Sequence, residues 1–364
     1  MASLRILASL TAFINIVLAD CECGYSIIIP SDDRQYVFSD LLESDFIHLD
    51  IAEGPQGYGG YGWSPQDFNM SSEVARGRYG ESYTPENVVS NNIADEQTFG
   101  GPGTNGGDAG LNLVVKSELE DDMVTGADVS TSDVHYFHGT FRAGIKVTDV
   151  PGTCSAFFWY FNDTQEIDIE FLSSEFNKGN NTFPVNLVLQ SQESKAAGFD
   201  ASKTADFRKI NLPFDPTTAF HEYRIDFLPD RVLFYADAEL LTEMNGTGVP
   251  STPGNLQLSH WSNGNADWSQ GPPTTDATTT ISYVKAYFNS SLESRQQDYQ
   301  TRCTDASAPT AVCAIPNSNA TFFFSNVDNM TPNQTTYHTS SGGRTRRWWT
   351  LPFAAALATS TWVV

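Results

Sequence analysis

The chain has 364 residues, with 44 Asp and Glu against 20 Lys and Arg, a net charge of −24 at pH 7. So acidic a surface repels nucleic acid and anionic membranes and leaves a neutral substrate open. Only 18% of residues are charged, and few segments repeat their apolar residues every 3.6 positions, which points to an all-β fold.

Residues 1–19 read as a secretory signal: Arg5, an apolar run from Ile6 to Leu18, and Val17-Leu18-Ala19 as a small-residue cleavage site. Short strands are predicted at Ser26–Pro30 and Tyr36–Asp40. Gly54–Gly62 is a Gly/Tyr-rich loop, and the turn-rich stretch Arg76–Gly107 reads as one long loop of a binding surface. Further strands are predicted at Leu111–Ser117, Val134–Val147 (with a break at Gly139), Cys154–Phe161, Gln165–Leu172, Val185–Gln190, Ile210–Leu212, His221–Leu228, Arg231–Ala236, Leu256–Trp261 and Ile281–Phe288. Ten or so strands at short spacing predict a β-sandwich of two antiparallel sheets with an open cleft on one of them.

The chemistry is concentrated in Glu166-Ile167-Asp168-Ile169-Glu170, which follows the aromatic run Phe157–Phe161. Alternation places Glu166, Asp168 and Glu170 on one face of a strand, with Ile167, Ile169 and Phe171 in the core. Carboxylates are poor strand formers, and neighbours about 6.6 Å apart along a strand repel. A solvated acidic face is the plain alternative. Repulsion, however, raises a carboxyl pKa toward the range a general acid needs. Retaining glycosidases use two such carboxyls, whereas Glu166 and Glu170 are roughly 13 Å apart along the backbone, so both side chains are expected to lean inward over Asp168.

At the other end, small residues Ser340–Gly343, a spacer with Arg344, Arg346 and Arg347, and apolar Leu351–Val364 form the pattern of a glycosylphosphatidylinositol attachment signal. Loss of both end segments would take the net charge from −24 to about −28. Sequons begin at Asn69, Asn162, Asn180, Asn245, Asn289, Asn319, Asn329 and Asn333. The predicted organisation is a signal at 1–19, a catalytic domain at 20–295, a glycosylated Ser/Thr/Asn-rich stalk at 296–340 and a removed attachment signal at 341–364. Cys303 and Cys313 are expected to pair. Cys21 and Cys23 could join each other only with strain, or link to that pair, and Cys154 is read as a buried thiol in a core strand.

Ser155-Ala156-Phe157-Phe158-Trp159-Tyr160 followed by Glu166-Ile167-Asp168-Ile169-Glu170-Phe171-Leu172 resembles the catalytic strand pair of glycoside hydrolase family 16, in its unbulged Glu-X-Asp-X-Glu form. Phe220–Phe227 and Pro250–Gly254 leading to His260-Trp261 resemble later parts of the same family pattern. The resemblance covers roughly residues 35–290 and implies a jelly-roll β-sandwich of the concanavalin A-like glucanase type. It implies Glu166 as nucleophile, Glu170 as acid/base and Asp168 as the group tuning the nucleophile in an endo-β-1,3(4)-glucanase. Transglycosylation between chitin or glucan chains with the same residues is the alternative, and a silent carbohydrate-binding wall protein the alternative of another class. Ser262 departs from the Trp-Asn-Gly of bacterial lichenases. Trp159, Tyr160, Asn186, His260, Trp261 and Trp268 are candidates for sugar subsites, which need flat apolar faces and amides. No cofactor or catalytic metal is expected, although the family can hold a structural calcium. The expected protein is a monomer, acts on polysaccharide rather than nucleic acid, and meets membrane only through a lipid anchor at the cell surface or wall.

Overall fold

The computed structural model describes residues 21–51 and 60–326, and the backbone of 335–337. In chain order these form β1 (Tyr25–Ile29), β2 (Arg34–Phe38), β3 (Asp40–Asp45), β4 (Trp63–Pro65), β5 (Phe68–Met70), β6 (Gly80–Tyr83), β7 (Val88–Asn91) and β8 (Gly110–Val115). They continue as β9 (Leu119–Glu120), β10 (Met123–Thr131), β11 (Tyr136–Lys146), β12 (Cys154–Asn162), β13 (Gln165–Leu172) and β14 (Pro184–Gln190). After helix α1 (Gln192–Ala196) come β15 (Phe207–Asn211), β16 (His221–Phe227), β17 (Arg231–Ala236), β18 (Glu239–Asn245), β19 (Asn255–Trp261) and β20 (Ala277–Ser290). Helix α2 (Glu293–Arg302) precedes β21 (Cys313–Ala314) and β22 (Thr335–Tyr337).

Two large sheets make the sandwich. The inner sheet runs β15-β14-β13-β12-β19-β10-β6-β5, with β4 and β9 also pairing with β10. The outer sheet runs β18-β17-β16-β11-β20-β3-β22, with β8 on β20 and β7 on β8. Period-2 alternation sends one side chain in two into the space between them. Phe157, Trp159, Ile167, Ile169, Phe171, Leu187, Leu189, Leu256 and Leu258 of the inner sheet meet Phe141, Tyr223, Ile225, Phe227 and Phe234 of the outer one, all buried. The other face of the inner sheet is left to build a cleft. The break expected at Gly139 is a register shift between Phe137 and Gly139, with His138 in the left-handed region at φ 41°.

Three expectations are corrected here. Arg76–Gly107 is not one loop, because β6 and β7 lie within it, and β10 runs through a stretch given no strand. These strands are short or carry Gly, Ser and acids. Their pairing with β10 and β8 fixes them rather than a local apolar pattern.

The cysteines pair across the ends of the sequence. Cys21 bonds to Cys313 and Cys23 to Cys303, over separations of 292 and 280 residues. The tight turn at Cys21–Gly24 brings the N-terminal cysteines to the strand where β21 pairs with β1, so proximity in space overrides proximity in sequence.

Nor is 296–326 a stalk. Ile315 and Phe324 pack with Tyr25, Phe38, Leu233, Tyr235 and Tyr287 on the back of the outer sheet. Buried polar groups there are answered by this segment. Lys285 Nζ donates to Asn319 O at 2.7 Å and Arg142 Nη1 to Pro316 O at 2.6 Å. Glu43 accepts from the backbone N–H of Phe324 and Ser325 at 3.0 and 2.9 Å. A Ser/Thr/Asn-rich composition concealed the Phe322–Phe324 anchor. The signal at 1–19, the Gly/Tyr loop at 54–59 and the attachment signal at 341–364 lie outside the described residues.

Candidate active site

β13 lies between β12 and β14 and pairs with both in unbroken register across the acids: Tyr160 is opposite Glu166, Phe158 opposite Asp168, and Glu170 is flanked by Ala156 of β12 and Asn186 of β14. The strand is therefore unbulged there. Ile167, Ile169 and Phe171 are buried in the core, and the three carboxyls point into the cleft, with Asp168 only 4% exposed.

Burial is the largest cause raising the pKa of all three acids. Glu166 and Asp168 share a side-chain hydrogen bond, and the charge of Glu170 raises both further. That hydrogen bond lowers the pKa of Glu166 and raises that of Asp168, the pattern of an Asp168 hydroxyl donating to a Glu166 carboxylate. Glu166 is thereby kept as the acceptor, leaning over Asp168 as expected. Glu170 is held from its other side. The Trp268 indole N–H and the Cys154 thiol both donate to its Oε1, each at 3.4 Å.

The remaining predicted residues divide. Tyr160 is half-buried beside Glu166 and donates its hydroxyl to Asp163 Oδ1 at 2.8 Å. Trp261, half-buried, lies next to Cys154 across the β12–β19 ladder, and half-buried Trp268 reaches Glu170 from the following loop. Asn186 adjoins Glu170 but is fully buried, and neither amide atom has a protein partner.

Two subsite assignments fail. Trp159 is wholly buried in the core phase of β12 and donates its indole N–H to Tyr136 O at 3.0 Å. His260 is also wholly buried, between Leu113 O at 2.8 Å and Thr153 Oγ1 at 2.9 Å. Burial lowers its pKa to about 4, so it is a neutral structural imidazole. Cys154, read as a buried thiol in a core strand, is free and buried in β12, on the face that carries the acids.

Sequence reasoning missed a second acidic group in the inner sheet. Glu81 of β6 accepts from Tyr83 Oη at 2.5 Å and from Asn263 Nδ2 at 2.9 Å. Burial raises Glu81 and Asp128 of β10 to about 7 each, and the charge of Glu81 raises Asp128 further. Asp128 Oδ1 has no protein partner. Neither strand was legible, so neither acid could be placed. Among the described residues no group of His, Cys, Asp and Glu is arranged to hold a metal ion.

The model of glycosyl hydrolases family 16 matches residues 100–285, which is about half of the chain and includes the acid strand. The chain belongs to glycosyl hydrolases family 16. A β-glucanase of Paenibacillus polymyxa is 29% identical over 165 residues, covering 44% of this chain and 62% of that protein. Congo red hypersensitive protein 1 of Saccharomyces cerevisiae is 27% identical over 143 residues, covering 38% of this chain and 26% of that protein. The chain thus spans about half the length of the bacterial relatives it matches. The endo-β-1,3-glucanase of Pyrococcus furiosus has the same fold at a TM-score of 0.50 and 18% identity, over 73% of this chain and 99% of that one.

Proposed function

We propose that this family 16 protein is a retaining, endo-acting glycosidase that cuts β-1,3(4)-glucan by double displacement. The observation that carries the reading is the division of labour along β13: Glu166 held as a proton acceptor by Asp168, and Glu170 held separately by Trp268 and Cys154. Two donors on Oε1 leave Glu170 Oε2 as the oxygen that bears the acid proton. Burial favours the neutral acid there, as a proton donor requires.

In the first step Glu166 attacks the anomeric carbon while Glu170 Oε2–H protonates the glycosidic oxygen of the leaving sugar. In the second, Glu170, now ionised, takes a proton from water, which displaces Glu166 from the sugar. Trp261 and Tyr160 supply apolar faces for sugar rings at the two ends of the acid row.

The same intermediate can be taken by a sugar hydroxyl, which makes transglycosylation the second reading. An acceptor sugar stacked on the half-buried Trp261 or Tyr160 would displace water beside the acids and favour it. Chitin is a candidate acceptor. Secretion and a lipid anchor at the cell surface are further parts of the proposal. The two disulfides support an oxidising compartment.

The test is product analysis on barley β-glucan, laminarin and chitin oligosaccharides, with and without labelled acceptor. Shortened glucan whose first-formed ends are β-anomers is expected, and is lost in Glu170→Ala. Coupling to acceptor without net shortening would establish the transferase, and inert behaviour toward all three glycans would defeat both readings.

A further inference from the structure

Arg76 lies in the loop joining β5 to β6, and Phe199 in the loop after α1 that joins β14 to β15. Between β14 and β6 lie β13, β12, β19 and β10. At strand spacing the roots of the two loops are roughly 24 Å apart across the sheet. Yet the Arg76 guanidinium stands over the Phe199 ring, 5.0 Å from its centroid. The loops must therefore arch over the cleft face to meet. They leave from opposite ends of β13: the Arg76 loop beside Asn263 at the Glu170 end, the Phe199 loop beyond Gln190 at the Glu166 end.

Both sides are fixed. Asn263 Nδ2 donates to Ala75 O at 2.8 Å and Asn265 Nδ2 to Arg76 O at 3.0 Å. Gly77 leaves no room for a side chain, since a Cβ there would fall 2.3 Å from Asn263 O. The Phe199 N–H donates to Ser194 O at 2.7 Å, against the capped start of α1. The position over the acids has an independent sign: the charge of Arg76 lowers the pKa of Glu166, Glu170 and Glu81 together.

We propose that Arg76 and Phe199 form a bridge over the catalytic acids that determines which glucans reach them. The proposal rests on the glucan reading above. A short oligosaccharide enters endwise beneath the bridge. An internal segment of a long chain reaches the acids only by parting it, at the cost of the cation–π contact.

The decisive measurement compares kcat/KM for long laminarin with that for a short laminari-oligosaccharide. Phe199→Ala is expected to raise this ratio about two- to fivefold, the worth of an exposed cation–π contact. A second readout needs no turnover: carboxyl-carbon NMR titration of the glutamates in the wild type and Arg76→Gln. The other groups facing the acids are Tyr160, Asp163, Asp168, Cys154 and Trp268, and these are unchanged in the variant. The midpoints of Glu166 and Glu170 are expected to rise on loss of Arg76. An unchanged ratio in Phe199→Ala or unchanged midpoints in Arg76→Gln overturns the bridge. A wild type that cuts no glucan overturns the glucan reading instead, and the titration still decides the bridge.

Discussion

Glu81 and Asp128 make the sandwich's stability depend on pH, and Glu81→Gln isolates the effect. Glu81 rises from the ordinary 4.5 to about 7 because it is buried. Ionising it inside the folded sheet therefore costs about 3 kcal/mol relative to the unfolded chain. Asp128, raised from 3.8 to about 7, adds about 4 kcal/mol by the same conversion, part of it the mutual repulsion. For a group whose folded pKa is raised, stability is complete below the unfolded value and is lost as pH climbs through the folded one. The wild type should thus weaken between pH 4.5 and 8. Gln is nearly isosteric, can accept from Asn263 and donate toward the Tyr83 oxygen, and does not ionise. The assay is urea denaturation at pH 4.5 and pH 8 with the disulfides intact. Glu81→Gln is expected to be close to wild type at pH 4.5 and more stable by about 3 kcal/mol at pH 8. A difference that stays the same at both pH values would show that Glu81 is not ionised at a cost in the folded state, and the argument would fall with it.

The nucleophile and acid/base should separate chemically. Removing either in Glu166→Ala or Glu170→Ala should cost at least about 10²–10⁴ in kcat, and azide should return an α-glycosyl azide to the first and a β-glycosyl azide to the second, read by NMR. Cys154→Val removes a donor from Glu170, raising its proton affinity, so the basic limb of the kcat/KM profile should move up by about half a pH unit; a limb that stays put removes Cys154 from the proton chemistry. The disulfides should be strongly non-additive. With one closed, the other completes only a ring of about a dozen residues, so its single Ser variant should cost about 3 kcal/mol, while loss of both opens the whole loop and should cost about 8 kcal/mol by chain entropy, as measured by denaturation of oxidised protein.

The acid strand was legible because its signal is local: three carboxyls and three apolar residues alternate with no interruption, and period 2 assigns both faces. The same rule misassigned Trp159. Phase along β12 put Tyr160 in the cleft and Trp159, one residue away, in the core, and the two could not both line the cleft. His260 and Trp261 repeat the error on β19. Glu81, Asp128, Arg76 and Phe199 were invisible for a different reason. They meet through strand pairing and loop arching that no segment of sequence records. The disulfides belong to the same class, since their partners lie nearly three hundred residues apart.

The strap that closes on the back of the outer sheet also sets a direction. Cys303 and Cys313 are tied to the N-terminal turn, and Phe324 is seated beside Tyr25 and Tyr287, on the far side of the sandwich from Glu166 and Glu170. The segment up to residue 326 thus lies on the side opposite the catalytic opening. A partner that grips this back face leaves the acids turned away from it and open to substrate. A pull on residue 326 would pass into the two covalent ties and the outer sheet before it reached the strands that carry the chemistry.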